Sequence, residues 1–333
     1  MLSVISNREG GEDLMHRNQS MDVLRILACM GVMLAHSAAM CFTIDVVEDG
    51  SVEWVVCYII KKILLWSVPV FTMLTGFFFL NPNKELPLKK LYGKNTLRLV
   101  LALVFWTLFN ALTIHSRFYP FGGNDTNFWY IGMCIGLYIS MPVLRRIAAN
   151  DKLLAYSCWI WLFIRCYYYV GKFISVPIVF TDYIFTDFVG YCLWGFYLYR
   201  MTMTRKRART IYCVGFISML ATVLLPLLTG KKVDFEYPDP IPALVAIAIF
   251  LFVIRHPLNC SLKTERILSH LSKATFGIYM AHTFVVVETF SRVYHFFPNP
   301  YVLVPIAFCV IYGLSYIITI IIKQIPILKD WVV

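Results

Sequence analysis

The chain has 333 residues, 59% of them apolar and 15% charged, with a net charge of +11. Soluble domains average nearer half apolar and a quarter charged, so the polar side chains needed to cover a water-exposed surface are missing. Disorder is excluded by 16% aromatic residues with so little charge, and the recurring apolar runs indicate a polytopic membrane protein.

The opening stretch MLSVISNREGGEDLMHRNQS (1–20) is polar and contains acids, without the apolar core of a cleavable signal peptide. Ten apolar segments follow, at about 21–44, 54–80, 95–115, 127–145, 152–171, 183–200, 209–229, 240–255, 273–291 and 301–323, each near the roughly 20 residues of a spanning helix. They lack the period-2 alternation of barrel strands. The expected fold is an all-α bundle of about ten transmembrane helices. It divides into an N-terminal tail (1–20), one membrane domain (21–325) and a C-terminal tail (326–333).

Ten crossings return both ends of the chain to one face. The segments 1–20, 81–98, 145–152, 200–209, 255–273 and 323–333, together with Arg25, hold 22 of the 30 Lys and Arg. The positive-inside rule therefore predicts that both termini are cytoplasmic. The basic residues serve topology, and no nucleic-acid partner is expected. The 10 cysteines are scattered, nearly all within the apolar runs, without C-x-x-C or zinc spacing, so neither disulfides nor a metal is expected.

Ionisable groups inside a span are costly and mark candidate sites. The first segment, SMDVLRILACMGVMLAHSAAM (20–40), places Arg25 and His36 11 residues apart. At 100° per residue they lie within about 20° of one helix face, about 16 Å apart along the axis. Asp22 stands one turn before Arg25, within pairing reach. Arg25 also has a snorkelling reading. A buried imidazole on a polar stripe suits a general base or a proton relay.

In the second segment, Lys61 reads as a snorkelling lysine, and Thr75–Gly76 as a small pair permitting close helix approach. The third begins KKLYGKNTLR (89–98), with Lys94 and Arg98 at i, i+4 beside Lys89 and Lys90. Such a cluster can bind phosphates or lipid headgroups. The fourth opens with Asn127, Trp129 and Tyr130 at an interface. In the ninth, Tyr279 and His282 share a face at i, i+3, while Glu288 has Lys62 or Arg292 as possible partners.

Taken together, these segments resemble the acyltransferase-3 family of bacterial membrane O-acyltransferases over about residues 17–325. The first helix carries that family's Arg-x10-His pair at Arg25 and His36. SVPVFTMLTGFFFL (67–80), NFWYIGMCIGLYISMPVLRRI (127–147), DFVGYCLWGFYLYR (187–200) and ATFGIYMAHTFVV (274–286) resemble its later patterns in the same order. Three positions depart. Thr75 stands where Ser is usual, Asn127 where His is usual, and Asn95 at the first position of an Arg-x-x-Arg that Arg98 completes.

The resemblance implies transfer of an acyl group, usually acetyl, from cytoplasmic acetyl-CoA to a hydroxyl of a glycan or lipid-linked sugar at the outer face. The chain would be a version without an extracytoplasmic hydrolase-like domain, in a bacterial inner membrane. Acetyl-CoA is then a co-substrate, with no cofactor bound permanently. Arg25, Lys94 and Arg98 are the candidate donor contacts, with Arg25 and His36 the catalytic pair. His36 would act as general base or carry the acyl group itself. Asn127, Trp129, Tyr279, His282 and Glu288 are candidates for the acceptor side. The alternative reading is a transporter of a glycan or small acid, which buried His, Arg and Glu also fit. No inverted repeat supports that reading.

Overall fold

The computed structural model describes residues 19–114, 128–174, 187–229, 234–237, 239–297 and 299–333. Among them there is no strand, and a helix stands at each of the ten apolar segments. These are α1 (Gln19–Thr43), α2 (Val52–Phe79), α3 (Leu88–Thr113), α4 (Trp129–Ala148), α5 (Asp151–Phe173), α6 (Val189–Arg200), α7 (Arg205–Leu228), α8 (Pro240–Arg255), α9 (Leu262–Val293) and α10 (Pro300–Lys323).

Seven of the ten are long and apolar enough to cross a membrane by themselves: α1 to α5, α7 and α10. The other three differ for identifiable reasons. α8 is apolar throughout but has only 16 residues. α6 has 12 residues, and every residue from Gly190 to Phe196 is buried. A helix enclosed by protein need not match the bilayer. α9 runs for 32 residues because its first turns, carrying Lys263, Glu265, Arg266 and His270, extend a polar start. At 1.5 Å per residue it is about 48 Å long, beyond the roughly 30 Å hydrocarbon core.

The helices alternate in direction, and contacts at the end where α1 begins tie successive turns together. Arg145 donates to the carbonyl oxygens of Phe79 (2.6 Å) and Lys84. Arg200 pairs with Asp151 at 2.5 Å. Arg255 donates to the Met203 carbonyl at 2.7 Å, and Leu258 N–H to the Ser20 hydroxyl at 2.7 Å. Residues after α10 fold back instead of forming a free tail. Val332 and Val333 are buried, and the Trp106 indole donates to the Val332 carbonyl at 3.2 Å.

α1 stands between two apolar cores. Met21, Leu24 and Ala28 belong to one, with α2, α4, α5, α6 and α8. Cys29, Val32 and Met33 belong to the other, with α3, α9 and α10. Leucine, isoleucine, valine and phenylalanine cover the outer surface, among them Leu112, Val143, Phe163, Phe216 and Ile321. Lipid contact is the favourable fate of such a belt, and the molecule is a multi-pass membrane protein.

The wall that later bounds the site is set by glycines. α2 bends at a 3₁₀ turn, Leu64–Trp66, and its second half lies against α6. A Cβ on Gly76 would stand 1.8 Å from the Cys192 carbonyl oxygen, and one on Gly195 would stand 2.0 Å from that of Met73. The expected close approach at Gly76 is therefore present, with Gly195 as its counterpart. Main-chain atoms cannot rotate away, so overpacking here costs at least the usual figure of about 1–3 kcal/mol. Gly76→Leu should lose the monodisperse peak in detergent size exclusion and lower the melting temperature. Gly136→Ala and Gly313→Ala, where an added Cβ meets nothing within 4 Å, should melt with the wild type.

Candidate functional site

The polar face of α1 is met by α9 along its length. Ser272 donates to the Asp22 carboxylate at 2.6 Å, and the Arg25 guanidinium donates to the Ser272 hydroxyl at 3.4 Å. Asp22 and Arg25, expected to lie within pairing reach, thus share Ser272 of another helix as a partner. One turn on, the Cys29 thiol approaches the Thr275 carbonyl at 3.8 Å. Farther along, the rings of His36 and His282 lie with centroids 5.2 Å apart.

Arg25 lines a cavity of about 370 Å³ that opens at the end where α1 begins. Its guanidinium sits over the Phe78 ring, 5.2 Å from the centroid. Asn95, Arg98 and Lys273 line the same cavity, and Tyr130, Tyr138 and Tyr279 line its deeper part. Arg98 lies over the Phe276 ring at 4.9 Å and donates to the Val333 carbonyl at 2.5 Å. Its Nε has no hydrogen-bond partner among the described residues.

Lys94 is exposed and is not among the residues lining this cavity. The i, i+4 argument for Lys94 and Arg98 assumes a regular helix. α3 instead opens with a π turn, Leu91–Thr96, in which the Thr96 hydroxyl reaches back to the Leu91 carbonyl at 3.0 Å. Asn95, near the end of that turn, lines the cavity with Arg98. Lys273 is the cation that sequence reasoning passed over. Its signal was present, since it lies one residue from Ser272 at the foot of the Tyr279–His282 helix.

A second cavity, about 640 Å³, opens toward the opposite end. His36, Lys61, Trp129, Glu236 and Tyr237 line it. Lys61, expected to snorkel, therefore faces the same space as His36. Trp129 lies against Tyr237 and Phe188, with centroids 5.8 and 5.4 Å away. Asn127 lies outside the described residues. Glu288 lines neither cavity and pairs with Arg292 through Nη2 at 2.9 Å, the local one of its two expected partners.

Between the cavities stands His282, which is fully buried. Tyr279, one turn back, presents its ring to the first cavity and packs against His282 at 5.1 Å and Tyr130 at 5.6 Å. His36 presents its ring to the second. The imidazole pair and the Tyr130–Tyr279 pair thus stand between a basic chamber and one lined by charges of both signs, Lys61, Lys62, Asp187, Asp234 and Glu236, with the Trp129 and Tyr237 rings. No group of three or more metal-ligating side chains occurs among the described residues.

An ion pair holds the rim of the second cavity. Lys62, buried in α2, reaches the Asp234 carboxylate at 2.5 Å and the Phe235 carbonyl at 2.8 Å, while Tyr58 donates to Asp234 at 2.9 Å. Burial acts to raise the Asp234 carboxyl, but the Lys62 ammonium and the Tyr58 hydroxyl outweigh it, and the net shift is downward. A lowered carboxyl stabilises the fold above its ordinary range, and that contribution disappears as pH falls through the lowered value. Asp234→Asn should therefore melt below the wild type at pH 7. The gap should narrow as pH falls below about 4, the ordinary carboxylate range; thermal melts across that range check the sign.

A family model described as an acyltransferase domain matches residues 18–323. No curated protein and no solved structure matches the chain.

Proposed function

The chain belongs to the acyltransferase-3 family, and on that premise we propose that it is an O-acetyltransferase of a bacterial inner membrane. It would move acetyl from cytoplasmic acetyl-CoA to a sugar hydroxyl of a surface polysaccharide or its lipid-linked precursor, such as O-antigen. The observation that carries this reading is the back-to-back pair of cavities: one holds Arg25, Arg98 and Lys273, the other His36 and Trp129, with the imidazoles between them.

CoA is a polyanion on a long flexible arm. Guanidinium and ammonium groups bind phosphates by charge-assisted hydrogen bonds, which suits Arg25, Arg98 and Lys273 at a mouth facing the cytoplasm. The positive-inside rule supports that orientation, since 22 of 30 Lys and Arg belong to segments at that face. The arm then lies along Tyr138, Tyr130 and Tyr279, bringing the thioester to the imidazole wall. The acceptor sugar enters from the other side, where Trp129 and Tyr237 offer flat apolar faces to a sugar ring.

His36 takes the proton of the acceptor hydroxyl as the oxygen bonds to the acetyl carbon. The carbon–sulfur bond breaks, and the thiolate takes the proton back. A well-placed general base contributes roughly 10²–10⁴-fold. The transport reading requires a substrate to move past the wall; in the acetyl-transfer reading only a two-carbon group crosses.

Proteoliposomes with labelled acetyl-CoA and a lipid-linked glycan test the proposal. Wild-type protein should move label to the glycan, and His36→Ala should lose at least about 10²-fold. Arg98→Ala should chiefly raise KM for acetyl-CoA. Glycan movement without label, or full activity of His36→Ala, would sink it.

A further inference from the structure

His282 is fully buried, and its Nε2 has no hydrogen-bond partner among the described residues. A buried polar atom left unpaired is costly, so an orphan this deep calls for an explanation. Its other nitrogen is fixed. Nδ1 bonds the Tyr279 carbonyl oxygen, which can only accept, so Nδ1 carries the proton. A neutral imidazole with its proton on Nδ1 has its lone pair on Nε2. The backbone of α9 therefore locks His282 as a hydrogen-bond acceptor, beside the His36 ring.

We propose that His282 is the positioning residue of His36: its Nε2 accepts the N–H of His36 that faces away from the acceptor hydroxyl. This rests on the acetyl-transfer reading above. A histidine base needs a partner that holds its tautomer and stabilises its imidazolium, and a carboxylate usually fills that place. Among the described residues no carboxylate is paired with His36, and Glu288, on the same helix as His282, is engaged by Arg292. His282 takes the carboxylate's place without bringing a charge into the bilayer.

The hydroxyl O–H breaks and its proton goes to one nitrogen of His36. The oxygen–carbon bond forms, and the carbon–sulfur bond breaks with its electron pair on sulfur. The imidazolium is held through its second N–H by His282 Nε2, then returns the first proton to the thiolate. Catalytic hydrogen bonds are often long before substrate binds, and rings with centroids 5.2 Å apart are near enough for nitrogens that face each other to bond.

The test uses two variants close in size to histidine. His282→Gln retains an acceptor oxygen, and His282→Met has none. Full-length protein in proteoliposomes is assayed for label transfer, with acetyl-CoA binding measured separately. H282M should lose about 10²-fold or more in kcat with unchanged KM for acetyl-CoA, and H282Q should recover at least about tenfold of that loss. The H36A/H282M double variant should be no slower than H36A alone, because the two residues act as one unit. H282Q no better than H282M, or losses that multiply in the double variant, would overturn the pairing. Wild-type protein that transfers no label refutes the acetyl-transfer reading itself, whereas an active wild type matched by H282M refutes only the pairing.

Discussion

The whole arrangement depends on a polar face of one helix surviving in an apolar interior. Away from water an unpaired polar group is expensive, so α1 can carry Asp22, Arg25 and His36 only if other helices answer each of them. α9 does most of this. Its Ser272 joins Asp22 and Arg25, its Thr275 carbonyl meets Cys29, and its His282 lies against His36. The polar seam also lies where the two apolar cores meet, so both cores hold it in place.

The seam becomes a site because the neighbouring helices stand back from it at both ends. The gap has firm walls. α2 bends at Leu64–Trp66, and its second half is pressed on α6 through Gly76 and Gly195, which brings Phe71, Thr75 and Phe78 to the basic cavity. At the other end Lys62, Asp234 and Tyr58 fasten the segment before α8 to α2, and Phe235 and Tyr237 join the rim of the second cavity. The same bent helix thus supplies part of both walls, with Lys61 facing one space and Thr75 the other.

Much of this was legible in the sequence wherever a regular helix carries the information. Arg25 and His36 share a face because 11 residues nearly complete three turns, and the helices occur at the ten expected segments. Reasoning failed where the helix is not regular or the partner is remote in sequence. At the π turn Leu91–Thr96, Asn95 rather than Lys94 lines the cavity with Arg98. Lys62 had no local cue for Asp234, which lies beyond five helices, and nothing along α1 pointed to Ser272 or His282. Arg292 was recoverable because Glu288 lies one turn away.

The proposed chemistry at mid-depth has a physical reason to use two histidines. A base between the two cavities must be uncharged at rest, because a permanent carboxylate or ammonium there would need a buried counter-ion. It must also accept a proton during the reaction, when a positive charge appears for a moment. Imidazole alone among the side chains meets both conditions near neutral pH. A second neutral imidazole, fixed as an acceptor by its own backbone, gives that transient charge a partner without a standing charge in the membrane. Two positive groups side by side at such depth would repel each other, so the proposed reaction loads the pair with a single proton. That fits a reaction in which a single proton leaves a hydroxyl and ends on a thiol.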